Sequence, residues 1–384
     1  MRIGIAGYGG FGQFLHEAWR ALAEVEVLAV ATLSPQGRDL AVARGVRAYS
    51  DWRSLVRDPE VELVAVATPP DLHAPVACAA LRAGKPVLVE KPLAVNLSQA
   101  RRILRARDLS GLPAAIDYPL RFHPLTERLH RWARSGLWGP LRRIAIENYA
   151  QDEALGPEHW FWDLRRSGGI LVEHAVHFID LAQALASAAP VRIRGLAAER
   201  ATGERDRMLL EVLYADGMMM TQYHAFGRPG FFERTSWRFV FDRLELELEG
   251  WIPLVGRLRA LVDPIAEREL CSLPNWQVLR RSSIAEAEDN SRPPGWGQEG
   301  LARRDALHRL RVHGLPYAAE ALIEGTFAFP ESKAELYARC VQAALLDLLQ
   351  AMRMPGHTLR APLEVGLDSL HLALQATRSA LQGP

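Results

Sequence analysis

The chain has 384 residues, of which 49% are hydrophobic and 24% are charged, and its formal net charge is +1. Domains usually hold about 100 to 200 residues, so this length predicts two domains, each with enough apolar residues for a core of its own. The basic residues are spread along the chain and supply no concentrated positive field, which argues against a nucleic-acid partner.

The cysteines and the apolar runs indicate where the protein works. Cys78, Cys271 and Cys340 are odd in number and far apart, which fits reduced thiols better than a disulfide framework. A strand-like run begins at Arg2 with no charged and apolar leader before it, and no segment reaches about 18 consecutive apolar residues. We therefore expect a cytoplasmic protein that has no membrane partner.

Short apolar runs alternate with helical patterns from residue 2 to about residue 120. Strands are expected at 2–6, 25–32, 61–67, 86–90 and 113–117. Between the first two, Leu15, Ala18 and Leu22 recur at helical spacing and form one apolar face. This order predicts β-α-β units, a parallel sheet and right-handed crossovers in an N-terminal domain of residues 1–120.

The pattern changes after about residue 140, where the runs become longer and partly alternating. Strands are expected at 141–150, 191–200, 208–214, 218–224 and 237–249. Ala215-Asp216-Gly217 predicts a hairpin turn, and alternation over 243–249 predicts a sheet with one buried face and one wetter face. We expect residues 121–384 to form an α+β domain with a large open, mostly antiparallel sheet.

The last third of the chain divides into an irregular part and a helical part. Residues 252–300 are rich in proline and arginine and are expected to be an irregular insertion. Helices are expected at 331–352 and 362–381, and the last of them should pack back toward the N-terminal domain.

The run Gly7-Tyr8-Gly9-Gly10-Phe11-Gly12 follows a strand and opens a helix, which is the context of a dinucleotide-binding fingerprint. Glycines allow the tight turn and the close approach of backbone to pyrophosphate, and the helix N-terminus offers free N–H groups to the phosphates. The alternative is an ordinary glycine turn. We expect a Rossmann domain that binds NAD or NADP.

The end of the second strand bears on which cofactor is bound. NAD specificity usually comes from an acidic residue there, but this strand ends with Thr32, Leu33 and Ser34. Small hydroxyl residues followed by Arg38 would tolerate a 2′-phosphate, so NADP is slightly favoured. Arg38 could equally be a solvated helix residue.

Two further segments carry candidate chemistry. Glu90-Lys91-Pro92 ends a predicted parallel strand, the edge where ligands bind, although a surface lysine there is also common. Residues 168–180, if helical, set Glu173, His177 and Asp180 on one face. Simple i,i+4 charge pairing is the alternative, and His174 is a competing histidine.

These elements together, in this order, resemble the Gfo/Idh/MocA oxidoreductases. The resemblance covers nearly the whole chain. Its motifs are the fingerprint, Ala67-Thr68-Pro69-Pro70-Asp71-Leu72-His73, Glu90-Lys91-Pro92, Arg121-Phe122-His123-Pro124, residues 168–180 and the final helix after Pro362.

The resemblance implies roles for individual residues. Lys91 would sit beside the nicotinamide, His177 would exchange the substrate proton, and Glu173 stands where the family normally has an aspartate of the same catalytic group. Glu173 could still orient His177 or could shift the site toward another substrate shape. Glu90 and the trio Thr68, Pro69 and His73 are candidate cofactor-binding residues.

Substrate-binding candidates follow from the same comparison and from the residues. Arg121 follows the crossover between the domains, and Asp180 lies on the predicted stripe with His177. Trp162, in the run 159–163, could contribute to an aromatic wall for a ring with apolar faces, although plain packing is as good an interpretation.

The implied activity is reversible hydride transfer between the nicotinamide of NAD(P) and a sugar, polyol or related hydroxy or keto compound, in a homo-oligomer (dimer or tetramer) that associates through the C-terminal sheet. One alternative is a non-catalytic dinucleotide-binding regulator. Another is a lyase or glycosidase that holds NAD tightly and oxidises its substrate transiently. No metal site is expected, since the cysteines lack metal-binding spacing.

Overall fold

The computed structural model of the protein describes residues 1–284, 286–287 and 309–382. Its first sheet has six parallel strands in the order β3-β2-β1-β4-β5-β6. They are β1 (Arg2–Ala6), β2 (Glu26–Ala31), β3 (Arg47–Tyr49), β4 (Leu63–Val66), β5 (Val87–Glu90) and β6 (Ala114–Asp117). The five predicted strands are confirmed; β3 is only three residues long and was missed. The strand order reverses at β1 and β4, the crevice where such sheets bind ligands.

Helices cover both faces of this sheet. They are α1 (Gly10–Trp19), α2 (Pro35–Ala43), α3 (Trp52–Arg57), α4 (His73–Arg82) and α5 (Leu97–Ser110). The predicted apolar face of α1 is real, because Leu15 and Ala18 are buried. Every residue of β4, β5 and β6 is buried, as expected for central strands covered on both sides. The N-terminal domain therefore has the Rossmann fold.

The second sheet has nine strands in the order β14-β17-β13-β12-β11-β7-β10-β9-β8. Its strands, with the short β15–β16 hairpin, are β7 (Leu141–Gln151), β8 (Pro190–Glu199), β9 (Arg205–Tyr214), β10 (Met219–Arg228), β11 (Arg234–Phe241), β12 (Leu244–Glu249), β13 (Val255–Val262), β14 (Gln277–Ser283), β15 (Arg309–Val312), β16 (Leu315–Ala318) and β17 (Ala321–Ala328). Only β7 and β10 pair in parallel among its described ladders. The mostly antiparallel sheet is confirmed.

Helices that precede this sheet or connect its strands cover one of its faces. They are α6 (Pro124–Ser135), α7 (Leu164–Ser167), α8 (Ile170–Glu173), α9 (Val176–Leu185) and α10 (Pro264–Cys271). Buried and exposed residues alternate along β11, β12 and β13, so the sheet has one covered face and one open face. The predicted hairpin at 215–217 joins β9 to β10.

Two predictions in this region are wrong. Residues 237–249 are not one strand, because a turn at Asp242 and Arg243 separates β11 from β12, which pair as a hairpin. Both turn residues are buried, and the apolar alternation shifts by one residue across them, from Phe241 to Leu244. Residues 252–300 are not all irregular either, since β13, α10 and β14 lie within them. The arginines there mark the open face of the sheet; the turn-rich run at 292–297 lies outside the described residues.

The last two helices, α11 (Lys333–Arg353) and α12 (Leu363–Leu381), confirm both predicted C-terminal helices. Trp19 of α1 donates its indole N–H to the Val341 carbonyl of α11 at 3.2 Å. Tyr118, just after β6, bonds Ser369 of α12 at 2.6 Å. The other side of α12 packs on β8 so closely that a Cβ at Gly195 would lie 2.1 Å from the Ala376 carbonyl oxygen. These helices tie the two sheets together.

None of the helices in the described ranges is both long enough and apolar enough to cross a bilayer. In the same ranges, no three His, Cys, Asp or Glu side chains are grouped so that they could hold a metal ion.

Candidate functional site

The fingerprint loop joins β1 to α1, and its glycines serve two purposes. Gly7 has φ +102°, and a Cβ there would lie 2.2 Å from the Ala67 carbonyl oxygen after β4. A Cβ at Gly12 would lie 2.1 Å from the Gly7 carbonyl oxygen. These two glycines let the loop, the helix and β4 approach one another.

Gly9 and Gly10 are different, because they face open space. Both are exposed, and a Cβ on either would meet no described atom within 4 Å. Gly9 caps α1 without a side-chain hydrogen bond, so N–H groups of the first turn remain free to bind a ligand. This open helix N-terminus fits a pyrophosphate. Tyr8 points inward instead, 1% exposed, with its hydroxyl 2.6 Å from His16 Nδ1.

The end of β2 carries donors and hydroxyls. Ser34 Oγ caps α2 by accepting the Gly37 N–H, and Thr32 Oγ1 accepts the Ser34 N–H. Arg38 donates from Nη1 to the carbonyls of Thr32 and Leu33. Within the described residues its Nε and Nη2 donate to no protein acceptor, so the guanidinium is held in place with donors to spare.

His73 joins the loop after β4 to the loop after β5. Its Nδ1 lies 2.7 Å from the Pro92 carbonyl oxygen and its Nε2 lies 2.8 Å from that of Thr68. The ring is 1% exposed, and burial lowers its pKa. His73 therefore links the two loops through its two hydrogen bonds. The Thr68 hydroxyl oxygen, in contrast, is buried and has no partner among the described residues.

Lys91 and Glu173 form an ion pair between the two parts of the chain. Lys91 follows the last residue of β5, and its Nζ lies 2.7 Å from Glu173 Oε1 and 2.8 Å from the Glu173 carbonyl oxygen. The side chains are 17% and 14% exposed. The carboxylate faces the lysine ammonium and holds it at the carboxyl edge of the parallel sheet.

His177 lies at the start of α9, where it is 4% exposed. Its Nδ1 is buried and has no hydrogen-bond partner in the described part of the chain. The rings of Tyr118 and Trp251 meet it edge-on at centroid distances of 5.9 and 5.0 Å. Burial, followed by the nearby Lys91 ammonium, lowers its pKa well below the ordinary value. A neutral ring with a free nitrogen can accept a proton.

The prediction that Glu173, His177 and Asp180 lie on one face of a single helix is wrong. The helix is interrupted after Glu173, because the N–H groups of His174 and Ala175 both bond the Ile170 carbonyl before α9 begins. The break leaves Glu173 facing Lys91 at the end of α8.

Asp180 instead belongs to a second ion pair. Its two oxygens accept Nε and Nη2 of Arg121 at 2.7 and 2.8 Å, and Nη1 of Arg121 bonds the Arg360 carbonyl. The pair borders its own cleft of about 210 Å³, whose lining does not include Lys91 or His177. The structure therefore does not bring Arg121 and Asp180 into contact with the Lys91 group.

His174 lies beside the site on the face of the second sheet. Its Nε2 is 2.9 Å from Asn148 Oδ1, and Asn148 donates in turn to the Thr235 hydroxyl at 2.8 Å. Burial lowers the pKa of His174 to about 3. The amide oxygen fixes the proton on Nε2, so this histidine is oriented by the sheet.

Trp162 lies in another cavity, of about 420 Å³, together with Phe161, Ile170 and Arg205. Its indole N–H donates to the Leu155 carbonyl, and the Arg200 guanidinium lies 4.8 Å from its ring. Neither Lys91 nor His177 lines this cavity. The contacts of Trp162 are those of a packed aromatic residue.

Three residues at the site were not predicted from the sequence. Asp117 ends β6 beside Glu90, and Trp251 and Tyr337 pack against each other next to His177 and Phe11. The rule that selects Lys91, a polar residue at the carboxyl end of a parallel strand, would also have selected Asp117. No sequence pattern marks Trp251 or Tyr337, which come from distant segments.

The fold and the site define a dinucleotide-binding α/β protein in which a lysine, a carboxylate and a histidine meet at the edge of the parallel sheet. A profile described as "Oxidoreductase family, NAD-binding Rossmann fold" matches residues 1–118, and the "GFO/IDH/MocA C-terminal domain" profile matches residues 126–243. The chain belongs to the Gfo/Idh/MocA oxidoreductase family.

Named relatives match parts of the chain. The inositol 2-dehydrogenase/D-chiro-inositol 3-dehydrogenase of Lactiplantibacillus plantarum is 30% identical over 47% of this chain and 51% of its own length. Levoglucosan dehydrogenase of Pseudarthrobacter phenanthrenivorans is 31% identical over 35% of this chain and 36% of its own length. The chain thus spans about half or less of the curated relatives it matches.

A solved structure described as levoglucosan dehydrogenase in complex with NADH is similar over 100% of this chain and 97% of its own, with a TM-score of 0.73 and 16% identity. At that identity the likeness shows a shared fold.

Proposed function

We propose that the protein is an NAD(P)-dependent oxidoreductase that transfers a hydride between nicotinamide and a carbon bearing a hydroxyl or a ketone. One observation carries the proposal: the Lys91–Glu173 ion pair lies at the carboxyl edge of the parallel sheet, next to a buried His177 whose Nδ1 bonds to none of the described residues. The open glycines at the start of α1 supply a place for the dinucleotide phosphates at the same edge.

The residues present fit a dinucleotide. Gly9 and Gly10 would approach the pyrophosphate. The buried Thr68 hydroxyl and Glu90 Oε1 have no partner among the residues that the structure describes, and a ligand could satisfy them. When bound, the nicotinamide supplies the hydride acceptor or donor.

Three side chains would contribute to the reaction, two by contacting the substrate and one by positioning Lys91. In the oxidation direction, His177 Nδ1 accepts the proton of the hydroxyl group. The Lys91 ammonium donates a charge-assisted hydrogen bond to the same oxygen and stabilises the negative charge that develops on it. Glu173 positions Lys91 through the 2.7 Å contact rather than orienting His177. Packing against Trp251 and Tyr118 excludes water from the His177 ring.

We further propose a polyol or sugar-like substrate. The support is chemical: a lysine, a carboxylate and two neutral histidines, His174 and His177, offer donors and acceptors to several hydroxyl groups. The names of the matched relatives, which act on inositol and levoglucosan, favour the same class.

We propose a preference for NADP over NAD, supported by the end of β2. Arg38 is held by two carbonyls, its other two nitrogens donate to no acceptor in the described part of the chain, and Thr32 and Ser34 present hydroxyl oxygens beside it. A 2′-phosphate would satisfy those donors, whereas no carboxylate of Thr32–Ser34 stands ready for a ribose 2′-hydroxyl.

We also propose a cytoplasmic homo-oligomer, a dimer or tetramer that associates through the open face of the nine-stranded sheet. That face carries Arg238, Glu245 and Glu247 as ion pairs, which a second copy could complement. The three unpaired cysteines fit a reducing compartment. Light scattering of the purified protein measures the number of subunits.

A screen of hydroxy and keto compounds with NADP(H) and NAD(H), followed by nicotinamide absorbance, tests the activity. We expect turnover with at least one polyol or sugar and none by a Lys91→Ala variant. Cofactor binding without turnover of any compound would favour a regulator. Substrate breakdown with cofactor retained through purification and no net change in its absorbance would favour a lyase or glycosidase. Either outcome would contradict the proposal.

A further inference from the structure

Glu90 and Asp117 form a pair of buried carboxyl groups at the site. They are the last residues of β5 and β6 and stand opposite each other in the register of the parallel sheet. Glu90 is 7% exposed and Asp117 is 0% exposed. The carboxyl groups are close enough to hydrogen-bond to each other once one of them is protonated.

These carboxyl groups have few other partners. Both oxygens of Asp117 and Oε1 of Glu90 accept no hydrogen bond from the described residues. Glu90 Oε2 accepts the Lys91 backbone N–H at 3.2 Å. Two carboxylates in a dry environment cannot both be charged without a large cost, so the pair holds a shared proton.

Among the ionisable groups that lie together here, the Glu90–Asp117 pair is the one that exchanges a proton near neutral pH. Lys91 follows Glu90 directly after β5, and Tyr337 and Cys340 face the pair from α11. Burial raises the pKa of Tyr337 and raises that of Cys340 to about 12, so both stay protonated. Burial raises the pKa of Glu90 well above its ordinary value and that of Asp117 to about 6.

The position of the pair gives its charge a function. The oxidised nicotinamide ring is positive and the reduced ring is neutral. A second negative charge beside Lys91, which the proposed function places at the reacting oxygen of the substrate and so next to the nicotinamide, therefore stabilises the oxidised form selectively.

We propose that the Glu90–Asp117 pair is a specificity-determining element that senses the redox state of the cofactor: its shared proton is released when oxidised cofactor binds and retained when reduced cofactor binds. This inference rests on the proposed function. The proton goes to solvent, so the affinity for oxidised cofactor rises, relative to that for reduced cofactor, as the pH increases.

Calorimetric titration tests this without turnover. Oxidised and reduced cofactor, of whichever NAD or NADP form binds more tightly, are titrated in two buffers of different ionisation enthalpy. We expect more proton release with the oxidised form, and a ratio of dissociation constants that changes by about tenfold between about pH 6 and about pH 8. Titratable phosphates on the cofactor are common to both forms and cancel in the difference.

Asp117→Asn keeps the shape of the side chain but removes the second carboxyl group and supplies an amide N–H that favours the charged Glu90 carboxylate, so the pair no longer shares a proton. It should abolish the difference in proton release and make the affinity ratio nearly independent of pH. Glu211→Gln, which removes an exposed carboxylate on β9, is the matched control and should behave as wild type.

The outcomes separate the inference from the function on which it rests. Equal proton release by oxidised and reduced cofactor with the wild-type protein overturns the inference alone, whether or not Asp117→Asn folds. An unchanged difference in a folded Asp117→Asn protein overturns it as well. Failure of the wild-type protein to bind any nicotinamide cofactor overturns the proposed function and the inference together.

Discussion

Two ion pairs fasten the region after the parallel strands to residues 168–180, and they differ in how completely they are satisfied. In the Arg121–Asp180 pair, both carboxylate oxygens and all three guanidinium nitrogens are engaged. In the Lys91–Glu173 pair, Nζ contacts one carboxylate oxygen and one carbonyl, so one ammonium N–H and Glu173 Oε2 bond to none of the described residues. A pair whose oxygens and nitrogens are all engaged is held firmly in the fold, whereas a pair with an unused N–H and an unused carboxylate oxygen can also bind a ligand.

Lys91→Ala should have the largest effect. It removes the charge that stabilises the reacting oxygen, so we expect kcat to fall by about 1000-fold while cofactor binding remains measurable. Lys333→Ala, at the exposed start of α11, is the control and should be fully active. A fully active Lys91→Ala enzyme would remove the basis for treating this pair as the reactive one.

Asp180→Asn should act on stability. It leaves the guanidinium of Arg121, 17% exposed, without its charge partner, which should lower the free energy of unfolding by about 3 kcal/mol. Urea denaturation measures this. If stability is unchanged but substrate affinity falls, Asp180 binds substrate and the contrast between the pairs is wrong.

Glu173→Gln should separate the two roles further. The amide can still accept one hydrogen bond, and the Lys91 contact to the Glu173 carbonyl remains. The free energy of unfolding should therefore change by less than about 1 kcal/mol. Without the carboxylate charge Lys91 is less well held, and kcat/KM should fall by about 30-fold. A loss of stability as large as that of Asp180→Asn would make both pairs structural.

The pH dependence tests the unpartnered His177. Oxidation requires its neutral ring, which predominates above its pKa, and burial places that pKa below 6.5. At saturating cofactor, the rate of substrate oxidation should therefore stay level from about pH 8 down to about pH 6.5 and fall only at lower pH, by about tenfold per pH unit. A midpoint above neutrality would contradict a buried, neutral base at this position.

Arg38→Ala extends the argument about unused donors to the cofactor. Losing two free guanidinium nitrogens should weaken NADPH binding by about fivefold to tenfold and leave NADH binding nearly unchanged. Nicotinamide fluorescence measures both affinities, and Arg53→Ala, on α3, serves as a control. Equal losses for the two cofactors would rule out recognition of a 2′-phosphate by Arg38.

The sequence predicted best where local chemistry decides the structure. The strands of the parallel sheet are short apolar runs, and the fingerprint glycines are required by a turn and by close backbone contacts, so both follow from spacing. Lys91 was found for a similar reason, because the carboxyl end of a parallel strand is a known binding edge.

Prediction from the sequence failed where contacts between distant segments determine the structure. The break between α8 and α9 separates Glu173 from His177, and no local pattern announces it, since the residues on both sides favour a helix. Trp251 and Tyr337 reach the site from segments more than about 70 residues away from His177, through packing alone. The turn at 242–243 was missed because it contains no glycine or proline; Asp242 and Arg243 are held instead by Arg142 and the Ala318 carbonyl, which come from other segments.

Cofactor titration of a Gly9→Val protein tests the central claim most directly. A Cβ at Gly9 meets no described protein atom, so valine should leave the fold intact while filling the space that the pyrophosphate needs. We predict that wild type binds NADPH or NADH, that Gly9→Val weakens this by at least about tenfold with an unchanged melting temperature, and that Gly156→Val, in an equally open loop, has no effect. Wild-type affinity in a folded Gly9→Val protein, or no binding by wild type, would contradict the account.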